Sequence, residues 1–417
     1  MEGLDTQESW EVLRHTSPAI RAQIFSYFDR EKQIASIESI DRAEIGHLIT
    51  DLAPDERVDI LDRVDSAIRD QILTLLPADE RRDILRLSTY PAGTAGAVMT
   101  TQFARLSAAL TVSEALADIR KQKQQLETIY YLYVVDEGDH LRGLISLRQL
   151  VLADPGERIG ELMERETVSV LVTDDQEVVA KKLAKFDFLA IPVIDQEQRL
   201  VGIVTHDDVM DVVVDEATED AHRMGGVAPL EEDYLQARFA TIWWKRSVWL
   251  SCLFMAELFT FTALAHYENA IAAVLVLSLF VPLCISTGGN SGSQAATLIT
   301  RAMALGQVKL SDWVRVLRHE LGMGIALGLT LGLIGFVRAS LTPQDILGNV
   351  DRWMLALAIS QSVAAICLWG TLVGSMLPLV FKRLGFDPGY ASSPFVATFV
   401  DVTGIVIYFS IARIYLL

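Results

Sequence analysis

From residue 247 onward the chain carries five apolar stretches, near 247–266, 270–298, 317–340, 353–381 and 394–416. Each reaches the roughly 20 residues that a helix needs to cross a bilayer. No other feature constrains the fold as much, because backbone polar groups inside lipid must be satisfied internally. Charge divides at the same place. Residues 246–417 hold 8 acids and 10 bases, so the formal charge of −18 belongs to the first 245 residues, which carry −20. An acidic soluble half thus precedes a membrane half. Surplus negative charge disfavours nucleic acid and anionic lipid as partners and favours cations, although an acidic surface also serves plain solubility.

Cys252, Cys284 and Cys367 all lie in the apolar half without CxxC spacing and read as buried free thiols. The opening MEGLDTQESWEVLRHTSP is polar and acidic, unlike a secretory signal, so the soluble half is expected in the cytoplasm. Arg301, Lys309, Arg315 and Arg318 follow the second span, and Lys382 and Arg383 follow the fourth. The opposite loops, HYEN and LTPQDILGNVDR, hold little positive charge. The positive-inside rule then gives a multi-pass cell-membrane protein with its N-terminus cytoplasmic and its C-terminus outside.

The soluble half contains two internal repeats. LAPDERVDIL (52–61) and LPADERRDIL (76–85) agree at seven of ten positions, 24 residues apart, which suggests stacked helical hairpins in a small solenoid. Asp55 and Asp79 stand near helix starts, where an acid complements the dipole or caps the helix. Further on, IYYLYVVDEGDHLRGLISLRQLV (129–151) aligns with FLAIPVIDQEQRLVGIVTHDDVM (188–210) at an offset of 59. Each copy reads as strand, polar turn, strand and helix start, preceded by an amphipathic helix (TVSEALADIRKQ and DQEVVAKKLAKF). This pattern closely resembles a tandem cystathionine-β-synthase (CBS) pair, a regulatory module that often binds adenine nucleotides or other small effectors.

After the second copy, DVMDVVVDEATEDAHRMGG (208–226) crowds Asp208, Asp211, Asp215, Glu216, Glu219 and Asp220 onto a helix. Like charges three and four apart destabilise a bare helix. A solvated acidic face is the ordinary explanation, and a divalent cation held by hard oxygen ligands is the sharper one. No EF-hand loop is present. In the membrane half, PLCISTGGNSGSQAATL (282–298) is expected to break the second span, with glycines for close packing and with Asn290 and Gln294 facing a wet cavity. Asp401 lies inside PFVATFVDVTGIVIYFS, where an acid at mid-bilayer costs about 2.5–3.5 kcal/mol on insertion scales. It reads as a cavity-facing group, with a proton relay or a buried salt bridge as alternatives. Glu257 is a second intramembrane acid, either a structural hydrogen-bonding group or part of an interface. No Ser/His/Asp, zinc or phosphate-loop arrangement emerges, which speaks against an enzyme.

Together, an acidic helical domain, a CBS pair, five spans, PLCISTGGNSGSQAATLITRAMALG and PFVATFVDVTGIVIYFSIAR resemble the MgtE family of magnesium channels and transporters. The resemblance implies a multidomain membrane protein: an α-helical superhelical N domain (1–90), an α/β tandem CBS pair (91–215), a connecting plug helix (216–246) and a five-helix α transmembrane pore domain (247–417). It also implies a homodimer with the pore on its two-fold axis, embedded in membrane lipid. Asp401 from both protomers would face a hydrated Mg²⁺, with carbonyls near Ala397 and the amide of Asn290 completing the outer shell. Regulatory Mg²⁺ is expected at Asp55, Asp59, Asp208, Asp211, Glu216, Glu219 and Asp220, closing the pore when internal magnesium is high. ATP is a candidate ligand of the CBS pair. Two rivals remain: a proton- or sodium-coupled divalent cation carrier, and a membrane-anchored nucleotide sensor.

Overall fold

The computed structural model describes residues 5–122, 126–230, 234–235 and 237–416. The chain forms two units, Met1–Glu216 and Ala217–Leu417.

The first unit opens with seven short helices: α1 (Thr6–Leu13), α2 (Pro18–Ser26), α3 (Arg30–Ser39), α4 (Arg42–Asp51), α5 (Pro54–Leu61), α6 (Ser66–Leu75) and α7 (Ala78–Leu87). Helices two apart in sequence pack together, α1 on α3, α2 on α4, α4 on α6 and α5 on α7, which is the solenoid that the repeat predicts. The repeated helices α5 and α7 are tied by Arg57. Its buried guanidinium donates to the carbonyls of Leu52 (2.8 Å) and Thr50 (2.7 Å) and pairs with Glu80.

Two three-stranded sheets follow with one topology. In the first, β1 (Phe103–Ser107) runs parallel to β2 (Thr128–Val135), which is antiparallel to β3 (Leu141–Ser146). In the second, β4 (Val170–Leu171), β5 (Ala190–Ile194) and β6 (Leu200–Thr205) repeat that order. Helices α8 (Val112–Gln122), α9 (Leu147–Leu152), α10 (Ile159–Leu162) and α11 (Gln176–Phe186) accompany them. The 59-residue offset holds at register level: Val134 pairs with Gly143 as Val193 pairs with Gly202. Both glycines are sterically required. A methyl group on Gly143 would meet the Glu164 carbonyl at 2.6 Å, and one on Gly202 would meet Met99 Sδ at 2.6 Å. One apolar core joins the solenoid to the second CBS repeat, running from Leu48 and Ile72 into Val179 and Ile191.

Helix α12 (His206–Met224) crosses the unit boundary. The connecting helix expected over 216–246 is divided: α12 stops at Met224, and α13 (Phe239–His266) starts at Phe239 and continues as an apolar helix. Glu231, Glu232, Asp233 and Gln236 of that expected helix lie outside the described residues.

The remaining elements of the second unit are α14 (Glu268–Ala273), α15 (Val276–Ala304), α16 (Trp313–Ser340), α17 (Gln344–Leu347), α18 (Arg352–Arg383) and α19 (Ser393–Leu416). Four helices, Phe239–His266, Leu310–Ser340, Arg352–Arg383 and Ser393–Leu416, are long and apolar enough to cross a membrane. The fifth long helix, α15, carries the polar stretch, and here the structure corrects the sequence reading. The second apolar segment breaks at Val274–Leu275, before the polar stretch; Val276–Ala304 is one 29-residue helix with Pro282 inside it. The glycines serve packing. Gly288 and Gly292 lie against Gly370 and Gly374 of α18, where an added methyl group would strike backbone carbonyls. Ser291 donates to the Cys367 carbonyl at 3.1 Å. On the far side of α18, a methyl group added at Gly324, Gly328 or Gly332 of α16 would lie 2.7–2.8 Å from Leu368, Ala364 or Ser360. Such small-residue seams let helix backbones approach where lipid supplies no hydrophobic drive. Cys284 and Cys367 are buried and Cys252 is exposed; all three are free.

The seam gives a stability prediction. Gly374→Ala should destabilise the detergent-solubilised protein by about 1–3 kcal/mol through overpacking. Gly322→Ala, where nothing lies within 4 Å of the added carbon, should leave the thermal midpoint unchanged.

Candidate cation pathway and sensor clusters

In the second unit, Asp401 sits two turns into α19 with Ala397 one turn before it on the same face. Both point at Gly289 of α15: a methyl group there would lie 3.4 Å from Ala397 Cβ and 3.6 Å from Asp401 Oδ1. The missing side chain at Gly289 therefore leaves room beside the carboxylate. Asn290, the next residue, is exposed, and its amide donates weakly to Ser286 Oγ at 3.4 Å. The charged group acting on Asp401 is Glu257 of α13, another acid. Among the described residues no basic side chain forms an ion pair with Asp401. The buried-salt-bridge alternative therefore fails, and Glu257 gains a place beside Asp401.

In the first unit, Asp55 and Asp208 come together. Asp55 follows Pro54 in the first turn of α5, and Asp208 lies in the first turn of α12, accepting from the Thr205 backbone N–H (3.3 Å) and from the Thr205 hydroxyl. Three further acids act on the pair: Glu56, Glu127 and Asp207. Burial, reinforced by Asp208, Glu127 and Glu56, pushes the Asp55 carboxyl well above the usual carboxylate range. Burial, with help from Asp207 and Glu56 and against the Thr205 hydrogen bonds, pushes Asp208 up to about 6. Glu127, at the threshold of β2, is pushed up to about 7 by burial and by Asp208, Asp207 and Glu56, against a hydrogen bond from Thr100. Asp55 Oδ1 is buried with no hydrogen-bond partner. Glu127 gave no signal in the sequence, because nothing in its local pattern marks a lone acid before a strand.

The other expected sensor acids are distributed. Asp59, 65% exposed, stands 3.5 Å from Arg63, with Asp215 nearby. Arg30 reaches Asp215 at 3.5 Å. Asp211 is exposed, and Glu216 accepts from Gln176 Nε2 at 2.7 Å. In the second unit Glu219 is ion-paired with Arg223, which also pairs with Asp387; Asp220 is half-buried beside them in sequence. Among the described residues no three His, Cys, Asp or Glu side chains form a ready-made metal-binding group.

The CBS pair holds a cleft of about 420 Å³ lined by Tyr131, Ser146, Arg148, Gln149, Glu166 and Phe188, among others. Tyr131 and Phe188 meet edge to face at 6.4 Å. Under the 59-residue offset Ser146, Arg148 and Gln149 correspond to Thr205, Asp207 and Asp208. Equivalent positions of the two repeats thus carry a cation in one copy and acids in the other.

A helical array, a CBS pair and a unit of long apolar helices that carry acids inside them have the architecture of a membrane transport protein. Comparison with known proteins agrees. The family model for the MgtE intracellular N domain matches residues 1–93, the CBS domain model matches 95–156 and 159–215, and the MgtE divalent cation transporter model matches 281–411. The magnesium transporter MgtE of Thermus thermophilus is 42% identical over 332 residues, covering 79% of this chain and 72% of that protein. The Enterococcus faecalis magnesium transporter MgtE is 36% identical over 334 residues, covering 80% and 71%. A crystal structure of the soluble part of a magnesium transporter is similar with a TM-score of 0.50 and 36% identity, over 52% of this chain and 85% of that one. The chain belongs to the MgtE family of divalent cation transporters, and the family is one of transporters, not enzymes.

The raised carboxyl values fix the sign of a pH effect. The folded first unit holds protons near pH 6–7 that the unfolded chain has released near pH 4. Stability without divalent cations should therefore fall as pH rises from about 4 to about 7 and level off above. Any divalent cation that this cluster takes up in its ionised form should raise the thermal midpoint more at pH 8 than at pH 5 and release protons below pH 7, with magnesium as the ion to test. Calorimetry in two buffers of different ionisation enthalpy measures that release, and D208N should reduce it.

Proposed function

We propose that this protein is a magnesium-selective channel that admits Mg²⁺ to the cytoplasm and is closed by cytosolic Mg²⁺ bound to its acidic soluble half. The observation that carries the reading is Asp401: an acid inside an apolar helix, packed beside Gly289 of α15, with a second acid as its charged neighbour. Such an arrangement favours a cation when both acids are ionised. Mg²⁺ sheds water reluctantly and keeps an octahedral shell of oxygens, so it suits carboxylates that grip through bound water. Two copies related by a two-fold axis would supply two Asp401 carboxylates, while Ala397 carbonyls and Asn290 amides line the approach. Release must stay easy for conduction, which favours outer-shell contact.

For the sensor, the orphaned Asp55 Oδ1 is the fit test. A buried carboxylate oxygen without a donor, repelled by Asp208 and Glu127, is a better partner for a hydrated divalent ion than for any side chain present. Regulatory Mg²⁺ there would be held by Asp55 and Asp208, with Glu127 and Glu56 adding charge; when bound it supplies the positive charge that lets these acids stay ionised. Asp59, Asp211, Glu216 and Asp220 extend the acidic surface available to further ions, while Glu219 is already ion-paired with Arg223. Binding that favours the compact form closes the pore by linkage. The CBS cleft, with two aromatic rings and Arg148, has the chemistry to stack a base and hold a phosphate, so ATP is its proposed ligand. The soluble half lies in the cytoplasm in this reading and the C-terminus outside.

Asp401→Asn should lower magnesium current by about 10²-fold or more, the scale of losing a charge-assisted contact of up to ~3 kcal/mol, while the protein still assembles. Currents like those of the parent protein would sink the pore assignment. Currents that follow an imposed proton or sodium gradient would favour a coupled carrier instead. A second expectation concerns closure: D55N/D208N should need several-fold more internal magnesium to close in patch-clamp recordings, and an unaltered closing concentration removes these residues from the sensor.

A further inference from the structure

Arg223, in the last turn of α12, forms ion pairs with Glu219 on its own helix and with Asp387, which caps the short turn Pro388–Tyr390 that precedes α19. Its guanidinium carbon lies 5.9 Å from the Tyr390 ring centre, and its stem packs so closely on Gly389 that an added methyl group would sit 3.0 Å from Arg223 Cβ. Asp387 is itself fixed by accepting from the Gly389 N–H at 2.6 Å. Tyr390 in turn packs on Trp249 of α13 at 6.2 Å, and Trp249 packs on Phe395 at 6.4 Å. Gly226, at φ 70°, brings the chain after α12 against the same Trp249, an added methyl group there lying 2.7 Å from its indole nitrogen. Phe395 opens α19, and Ala397 and Asp401 follow within two turns.

We infer that Arg223 is a tethered cation that latches the end of α12 to the turn before the pore helix, occupying Glu219 and Asp387 in the way a divalent ion would. The inference rests on the channel reading above and adds a residue to it: Arg223 positions α19 through Asp387, Tyr390 and Trp249 without touching the transported ion. One positive charge between two carboxylates on separate segments is what a bridging metal supplies, and here the chain supplies it covalently. The guanidinium is planar, permanently charged and able to serve two carboxylates at once, which an ammonium does less well. The latch therefore holds without magnesium. Removing it leaves Glu219 and Asp387 facing one another, with a requirement for a cation from solution.

The test uses full-length protein in lipid nanodiscs carrying spin labels at exposed Ala221 and Phe386, one on each side of the latch. With divalent ions chelated, the parent protein should give a narrow distance distribution and R223Q a broad one. Millimolar Mg²⁺ should narrow R223Q again, R223K should fall between them, and the swap R223D/D387R should restore a narrow distribution without magnesium. A narrow distribution in chelated R223Q overturns the latch, as does a swap no better than its single variants. Broadening that magnesium leaves untouched overturns the equivalence to a divalent ion. Patch recordings of the same variants read the channel proposal separately: R223Q should raise open probability at low magnesium about fivefold, on the scale of ~1 kcal/mol.

Discussion

Carboxylates held near one another and away from bulk water repel, and at an effective dielectric near 20 two unit charges 4 Å apart interact by about 4 kcal/mol. Three remedies exist: a proton, a fixed basic side chain, or a cation from solution. This chain uses all three in different places. Asp55, Asp208 and Glu127 lean toward protons when no ion is bound, as their raised values show. Glu219 and Asp387 are served by Arg223. Asp401, inside an apolar helix, has an acid for its charged neighbour and no basic partner among the described residues, and in the channel reading proposed above a mobile cation serves it. The fold can be understood as the scaffold that keeps these carboxylates from relaxing apart.

The CBS duplication shows how one scaffold yields two chemistries. Both repeats use the same sheet order, the same left-handed turn residue (Asp139 and Gln198) and the same glycine beneath a crossing strand segment. Their differences lie at the helix starts that follow β3 and β6. There the first copy places Arg148 and Gln149 in a cleft with two aromatic rings, while the second places Asp207 and Asp208 against α5 of the solenoid. Equivalent helix starts thus carry a basic and an amide side chain in one copy and two acids in the other. The continuous core between the solenoid and the second repeat explains why the acidic copy is the one paired with PDERVD.

Much of this was legible from residue patterns because it depends on periodicity. Alternation and turn residues placed the strands of both repeats, and the 24-residue repeat marked α5 and α7. The polar stretch in the second span was misread for a physical reason. Glycine, serine and asparagine are poor helix formers in water, yet in a membrane unit the seam with α18 uses Gly288, Ser291 and Gly292 for backbone contact and keeps the helix intact. Tertiary packing decided against local propensity. Glu127 and Arg223 were invisible for another reason: their importance comes from partners 81 and 164 residues away, Asp208 and Asp387, and no local pattern encodes that. Asp401 was legible because an acid in an apolar span is costly wherever its partners lie.

The packing also constrains where motion in the membrane unit resides. Helices α15, α16 and α18 are locked along glycine seams in which backbone meets backbone, and such contacts switch between discrete arrangements and do not deform smoothly. By contrast α13 is almost wholly exposed, its main helical partner being α19, and it bears Trp249 at one end of their contact and Glu257 further along. Tilting α13 would move Trp249 against Phe395 and Glu257 against Asp401 together. Both the mechanical contact and the like-charge contact on α19 would then change in one step, while the seam behind Gly289 stays fixed. In the channel reading proposed above, a gate built this way would need no rearrangement of the three-helix core, only a cation-controlled choice of where α13 and the turn before α19 rest.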